Sequence, residues 1–320
     1  MSFRGGGGFG SLCGHESFKK SKLLAVVNPV SGRGRAKAAW PLLEKALIEL
    51  GIEYSVEWTQ HPGHATDLAS HAHTRGFSRV LSIGGDGTLR EVIQGLLGTD
   101  IEVGLIPAGS GNDFCRTLGV PRDPLRALDV ALGGDVRQVN VGEIDGTAFI
   151  NVAGCGIDAD IAMLAATKLR FLGGRLLYFA SALVQLAVHK PKRYKLTIDG
   201  ETISVNAYLI AAANGRYYGG GMMIAPNADP CDGLFDVCVV RHMSKAEFVV
   251  NLPRVYAGNH LGHPRVEMWR GRSVVVETDS PARCQADGEV VATTPVRFQI
   301  SQHLVSVVCP PGASKISRGR

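Results

Sequence analysis

Hydrophobic residues in this chain alternate between short continuous runs and stretches of helical period. The runs LLAVVNP at 23–29, EYSVEWT at 53–59, RVLSIGG at 79–85 and EVGLIPAG at 102–109 read as strands. Helices are expected over Arg35 to Leu50, stopped by Gly51, over Pro62 to Arg75 and over Thr88 to Leu97. A short one follows over Asp113 to Leu118, and another over Pro124 to Leu132, closed by Gly133 and Gly134. This alternation predicts an α/β domain whose mainly parallel sheet is covered on both faces through right-handed crossovers.

The pattern changes near Arg137. Strands are expected at 138–146 and 147–156, joined by a turn at Asp145-Gly146, and then one long amphipathic helix within 159–189. Alternating segments follow at 194–200, 202–214, 234–240, 266–271, 273–279 and 288–300, the signature of a mostly antiparallel, β-rich C-terminal domain. The expected organisation is a tail over 1–20, an α/β domain over 21–138, a β-rich domain over 139–299 and a second tail over 312–320. The strand within 300–311 is available to complete the first domain.

Composition narrows the picture. With 320 residues, 45% of them hydrophobic, the chain is neither disordered nor a small disulfide scaffold, and its length favours two domains. Seven cysteines without a CxxC pair suit reduced thiols and a cytoplasmic protein. The net charge of +5 accommodates an anionic partner, but the basic residues are spread along the chain. No run reaches the roughly 18 uninterrupted apolar residues of a spanning helix, and 159–189 is broken by Lys168, Arg170 and Arg175.

Three glycine-rich loops carry the chemistry. Gly84, Gly85, Asp86, Gly87 and Thr88 follow a strand and open a helix, a place where glycine lets the backbone approach a ligand and free amides receive phosphate. Asp86 would repel that anion unless it holds Mg²⁺, a hydroxyl or the loop itself. Asn28, Pro29, Val30, Ser31 and Gly32 leave the first strand in the same way, with Asn28 and Ser31 able to fix the turn by local hydrogen bonds. Pro107 to Asp113, containing Gly109 and Ser110, repeats the arrangement. Three such loops on one sheet edge predict a composite nucleotide site, and neither GxGxxG nor GxxxxGK[ST] is present.

Two acidic clusters lie in the second domain. Asp229 and Asp232, three apart, with the Leu234 carbonyl nearby, offer oxygens to a hard cation. Asp287-Gly288-Glu289 opens a turn between two carboxylates.

The ordered strings NPVSG at 28–32, GGDGTLREV at 84–92, PAGSGNDF at 107–114, DGLFDV at 232–237 and ADGE at 286–289 resemble the bacterial diacylglycerol kinase and lipid kinase family, related to sphingosine and ceramide kinases. The resemblance spans roughly 21–311 and departs at Ser110, where the family commonly has threonine. It implies that ATP is bound by Asn28 to Gly32, Gly84 to Thr88, Gly109, Ser110 and Thr59. It implies a structural Mg²⁺ on Asp229, Asp232 and Leu234, and a catalytic carboxylate in the DGE element. Glu289 or Asp287 is then the base and Asp86 the partner facing ATP. Glu91, three positions after Thr88, suits a capping box as well as a site contact.

The expected reaction transfers the ATP γ-phosphoryl group to a lipid hydroxyl, diacylglycerol giving phosphatidic acid, in a cleft between the domains. The lipid is met at the inner face of the membrane through transient contact, with no nucleic acid as partner, and a homodimer is compatible with the sequence. Apolar residues between Ile161 and Val188, with Lys190, Lys192, Arg193 and Lys195 beyond, offer an acyl groove or a packed helix with a basic face. A sphingoid or ceramide kinase, an NAD kinase-like enzyme and a non-catalytic lipid- or nucleotide-binding regulator are the alternatives.

Overall fold

A computed structural model describes residues 22–167 and 174–312. Both expected tails, apart from Gly312, and Cys13, Lys168, Arg170, Phe171 and Leu172 lie outside the described residues, as does the Arg175 side chain.

The first lobe runs β1 (Leu23–Val27), α1 (Arg35–Glu49), β2 (Tyr54–Trp58), α2 (His64–Ser70), β3 (Arg79–Gly84), α3 (Asp86–Leu96), β4 (Glu102–Pro107), α4 (Asp113–Leu118) and α5 (Pro124–Gly133). Its strands pair in parallel in the order β2-β1-β3-β4. The chain moves from β1 outward to β2 and then back past β1 to β3. Right-handed crossovers therefore put α1 on one face and α2 and α3 on the other; α1 packs with α5 and α2 with α3. β1 and β3 are buried over their whole length, which is why their sequences are apolar runs without alternation.

The second lobe contains β5 (Asp135–Ile144), β6 (Thr147–Phe149), β7 (Val152–Gly156), α6 (Ile157–Thr167), α7 (Gly174–Val188), β8 (Lys192–Ile198), β9 (Glu201–Ala213) and β10 (Phe235–Arg241). It closes with α8 (Lys245–Tyr256), β11 (Val266–Gly271), β12 (Ser273–Thr278), β13 (Arg283–Ala286), β14 (Glu289–Thr293) and β15 (Val296–Cys309). Apart from β15, these strands pair antiparallel. Along β9, Ala207, Ile210 and Ala212 enter one core with Phe149, Phe235 and Phe298. Tyr208, Ala211 and Ala213 enter another beneath α6, α7 and α8. A strand with cores on both faces has no polar side to show.

β15 joins the lobes. It pairs antiparallel with β12 and β5, and Val307 pairs in parallel with Val103 of β4. Residues 137–140 fall inside β5, which stays bonded to β15 from Asp135↔Cys309 to Ile144↔Phe298 across a register shift. The chain changes lobe within a continuous ladder.

Three local expectations need correction, and one helix had none. The helix expected over Pro62 to Arg75 is the shorter α2, which gives way to turns from His71. The expected long helix is α6 and α7, either side of 168–173. The strand expected at 147–156 is broken between β6 and β7, because the amides of Ile150 and Asn151 donate to the Asp287 carboxylate rather than to a ladder. Helix α8 was not anticipated, although Ser244 and Glu247 form a reciprocal capping box at its start.

Candidate active site

The loops after β1, β3 and β4 meet at the carboxyl edge of the parallel sheet, where β1 and β3 diverge in chain order, the position at which open α/β sheets bind ligands. Asn28 is their pin. Its Nδ2 donates to Thr88 Oγ1 at 2.9 Å, and its Oδ1 accepts from the Val30 amide at 3.2 Å. Arg35 donates to the carbonyls of Gly32 at 3.1 Å and Gly109 at 2.6 Å, tying the first loop to the third. Asn112 and Gly109 exchange hydrogen bonds at 2.8 and 2.9 Å.

The glycines at 85 and 109 are a steric requirement. A Cβ on Gly109 would lie 2.4 Å from the Gly85 Cα, so the two backbones touch where no side chain fits. Helix α3 then begins at Asp86 with Gly85 as its N-cap, and among the described residues no side chain caps it. Its first amides and positive dipole end are left for an anion. The expected capping box at Thr88 is not formed; Glu91 Oε2 instead accepts from the Ala65 amide at 3.2 Å and fastens α2 to α3.

Two carboxylates converge beside these loops. Asp86 Oδ1 accepts from the Phe114 amide at 3.0 Å and faces Asn151 Nδ2 at 3.5 Å. Asp113 accepts from the Gly220 amide at 2.8 Å and from Arg116 at 2.6 Å. A Cβ built on Gly111 would sit 3.0 Å from Asp86 Oδ2 and 3.4 Å from Asp113 Oδ2, so glycine leaves open a point that both acids face. Burial, then the negative charge of Asp86, pushes the Asp113 carboxyl up to about 6. Two acids around one open point, Asp113 buried and Asp86 half-buried, fit a hard divalent cation.

The DGE turn divides its acids. Asp287, at φ +49°, is a half-buried carboxylate that accepts from the amides of Ile150 at 2.7 Å, Asn151 at 2.8 Å and Val152 at 3.1 Å. Burial raises it to about 6, while these amides and Arg90 pull the other way. Glu289 points outward, its side chain 61% exposed, and pairs with Arg90 at 2.5 Å. Arg90 lies on a stripe of α3 in which Asp86, Arg90 and Gln94 recur every fourth residue. These meet Asn151, Glu289 and the Ala148 amide of the other lobe.

A cavity of about 610 Å³ connects the loops with the second lobe. One end is walled by Val30, Gly32, Asp86, Gly87, Ser110 and Asp113. The other is an apolar chamber among Ile161, Leu177, Ala182, Leu209, Phe248 and Leu252. Asn151, Tyr178 and Asp287 line its junction with the polar end. Burial, followed by Asp113 and Asp86, raises the Tyr178 hydroxyl to about 12, so it stays a proton donor there.

The remaining expected residues fall elsewhere. Asn28, Gly84, Gly85, Thr88 and Gly109 build the floor beneath the cavity rather than its lining, with Ser31 Oγ at 3.4 Å from a Cβ on Gly85. Thr59, beyond β2, donates its amide to the Val27 carbonyl at 2.9 Å, directly before the first loop, and is not part of the cavity lining. Asp229 Oδ1 accepts from the Cys231 amide at 3.1 Å, Asp232 Oδ1 accepts from the Leu234 amide at 3.1 Å, and Asp232 pairs with Arg270. The Arg270 guanidinium thus lies beside the oxygens to which the resemblance implies Mg²⁺. Among the described residues no three His, Cys, Asp or Glu side chains gather as a metal cluster. Asn151, Arg35 and Arg90 were not singled out from the sequence; Asn151 meets Asp86 across 65 positions, a distance over which no local pattern carries a signal.

Comparison with known proteins agrees over nearly all of the described residues. Residues 22–144 match the diacylglycerol kinase catalytic domain, and 151–309 match the YegS C-terminal NAD kinase beta sandwich-like domain. The chain is 33% identical over 310 residues to a diacylglycerol kinase of Mycobacterium tuberculosis (strain CDC 1551 / Oshkosh), covering 94% of this chain and 98% of the relative. It is 30% identical over 288 residues to one of Bacillus subtilis (strain 168), covering 89% and 95%. The crystal structure of a diacylglycerol kinase from Bacillus anthracis str. Sterne superposes with a TM-score of 0.71 at 25% identity, over 92% of this chain and 98% of that one.

Proposed function

The chain belongs to the bacterial diacylglycerol and lipid kinase family, and from that premise we propose that it transfers the γ-phosphoryl group of ATP to a lipid hydroxyl, diacylglycerol giving phosphatidic acid and ADP. The observation that carries this reading is the single cavity that runs from the phosphate-type loops past Asp287 into an apolar chamber.

In this reading the triphosphate lies on the amide-rich start of α3 and against the loops of Asn28 to Gly32 and Gly109 to Ser110. Asp86 and Asp113 would hold Mg²⁺, which supplies positive charge to the γ-phosphate as its bond loosens. Asp287 is the base: three amides fix its oxygens, and a carboxyl near 6 is ionised at neutral pH yet basic enough to accept a proton. The lipid oxygen forms its bond to the γ-phosphorus, the bond to the β–γ bridging oxygen breaks, and the hydroxyl proton passes to Asp287. Glu289, exposed and paired with Arg90, serves to hold the turn against α3.

The chamber beyond Asp287 is walled mostly by apolar side chains, with Asp158, Asn251, His260 and His263 among them, and this balance supports a lipid with an acyl chain as acceptor and weighs against an NAD kinase-like activity. Among the described residues no helix is long and apolar enough to cross a membrane; we place the enzyme in the cytoplasm, meeting its substrate at the inner face of the membrane. The test is transfer from labelled ATP in the presence of Mg²⁺ to diacylglycerol, sphingosine and ceramide in mixed micelles and to NAD in solution. Lipid-dependent product is expected. Transfer to NAD alone, or tight ATP binding without transfer to any acceptor, would replace this reading with one of the alternatives.

A further inference from the structure

Tyr178 stands at the junction between the two ends of the cavity, beside the proposed base and outside the proton transfer. Helix α7 is turned so that Leu177, Tyr178 and Ala182 line the cavity, while Leu176, Leu183, Val184 and Val188 are exposed on its other side. The tyrosine ring lies against Gly219, where a Cβ would come 3.3 Å from its Cδ1 and 3.4 Å from its Cγ. The next amide of that loop, from Gly220, is the one that donates to Asp113 at 2.8 Å. At its other end the side chain meets the DGE turn: a Cβ on Gly288, the residue after Asp287, would sit 3.5 Å from the hydroxyl oxygen. Tyr178 thus extends from the loop that holds one acid of the polar end to the turn that carries the proposed base. Among the described residues its hydroxyl has no hydrogen-bond acceptor. A half-buried phenol ordinarily pairs its hydroxyl, and this one faces the space a substrate enters.

Chemistry selects the acceptor. Leu177 and Ala182, on the same face of α7, wall the apolar chamber, so the hydroxyl marks the place where an acyl chain would begin. In a diacylglycerol that place holds the ester on the carbon next to the reacting hydroxyl, and its carbonyl accepts hydrogen bonds without donating any. Of the three side chains at the junction, Asn151 turns its amide nitrogen toward Asp86 at 3.5 Å, and an ionised Asp287 offers lone pairs alone. The phenol remains as the neutral donor. A carbonyl drawn to the edge of an apolar chamber loses its water, and a donor waiting there offsets that loss.

We propose that the Tyr178 hydroxyl donates to the ester carbonyl beside the reacting hydroxyl of the lipid, and so makes the enzyme prefer an ester-linked acceptor to its ether-linked analogue. The inference rests on the lipid-kinase reading above and names the group of the lipid that the junction recognises.

The test pairs a change in the enzyme with a change in the lipid. Transfer would be measured to a short-chain 1,2-diacylglycerol and to the 1,2-dialkylglycerol of equal chain length, which keeps the hydroxyl and the chains and lacks the carbonyls. Both would be compared in the native chain and in Tyr178→Phe, which removes the hydroxyl and keeps the ring. The native chain is expected to favour the ester lipid by roughly tenfold in kcat/KM, the worth of one net hydrogen bond. Tyr178→Phe should lose about that factor on the ester lipid and stay within about twofold on the ether lipid, with KM for ATP unchanged. An equal loss on both lipids would overturn the proposal, since the hydroxyl would then act on something they share, such as the γ-phosphate, or on the loops themselves. An ester preference that survives in Tyr178→Phe would overturn it too. Where that variant fails to fold, the native chain decides: equal transfer to the two lipids counts against the proposal and a tenfold preference for it. Equilibrium binding of the two lipids without nucleotide repeats the comparison, so absence of transfer by the native chain would count against the kinase reading while the binding preference still decides the role of Tyr178.

Discussion

Arg90, one turn after Asp86 on α3, reaches across the cleft to Glu289, two residues beyond Asp287, at 2.5 Å. The pair links the helix whose start faces the nucleotide to the hairpin that carries the proposed base. It also leaves the two acids of the DGE turn in unlike surroundings, one half-buried among amides and one largely exposed beside a guanidinium.

That contrast predicts unlike losses. Asp287→Asn should lower kcat/KM by about 10²–10⁴, the range for a lost general base. Glu289→Gln should cost about tenfold or less, since only a partly exposed ion pair is removed. Labelled phosphate transfer in mixed micelles compares the two, and equal losses would return the assignment of the base to an open choice.

The acid limb of the rate profile follows from the same burial. A carboxyl raised to about 6 is protonated below that pH and cannot take the lipid proton, so kcat/KM should fall as pH drops through about 6. Arg90 holds the Asp287 carboxyl down, so Arg90→Gln should move the limb to higher pH, and Arg90→Lys should restore most of it. A limb unmoved by Arg90→Gln would mean that Asp287 is not the titrating group.

Gly111→Ala would put a methyl group at the point that Asp86 and Asp113 share, 3.0 and 3.4 Å from their oxygens. The expected result is a Mg²⁺ requirement raised roughly tenfold or more with little change in melting temperature, since the crowding is confined to the proposed ligand position. Titration of activity against Mg²⁺, beside a thermal melt, separates a metal effect from general damage.

Ala182→Phe fills the apolar chamber from α7, where Ala182 is nearly inaccessible. Overpacking of this kind typically costs about 1–3 kcal/mol, and here it would fall on the acyl chains of the substrate. KM for a long-chain diacylglycerol should rise while ATP affinity and transfer to a short-chain acceptor persist. A uniform loss across chain lengths would show that acyl chains do not lie there.

Gly109→Ala should destabilise the fold itself, by about 1–3 kcal/mol in a denaturant melt, because the added Cβ would lie 2.4 Å from the Gly85 backbone. Native stability in this variant would show that the first lobe can spread its loops without cost.

Much of this protein is legible along the chain because the determinants are local. The buried parallel strands β1 and β3 announce themselves as apolar runs, and the glycines at 84, 85 and 109 mark places where backbone must replace side chain. Their order along the sequence is enough to predict a phosphate-type edge on an α/β sheet. Helix α8 carried a local signal as well, the Ser244–Glu247 capping box, and was missed beneath the valines and Pro253 that follow it.

What depends on long-range contact could not be read there. Asp287 and Glu289 are equivalent acids in sequence; only the closing of β13 on β7 brings Asp287 to the amides of Ile150, Asn151 and Val152 and leaves Glu289 to Arg90. The same holds for the two faces of α7, which have one composition and part company only when a chamber forms beneath one of them. Residue type and spacing settle which backbone conformations are affordable, so the elements and the phosphate loops follow from sequence alone. Burial and charge pairing depend on residues far apart in the chain, so the division of labour among the acids belongs to the tertiary structure.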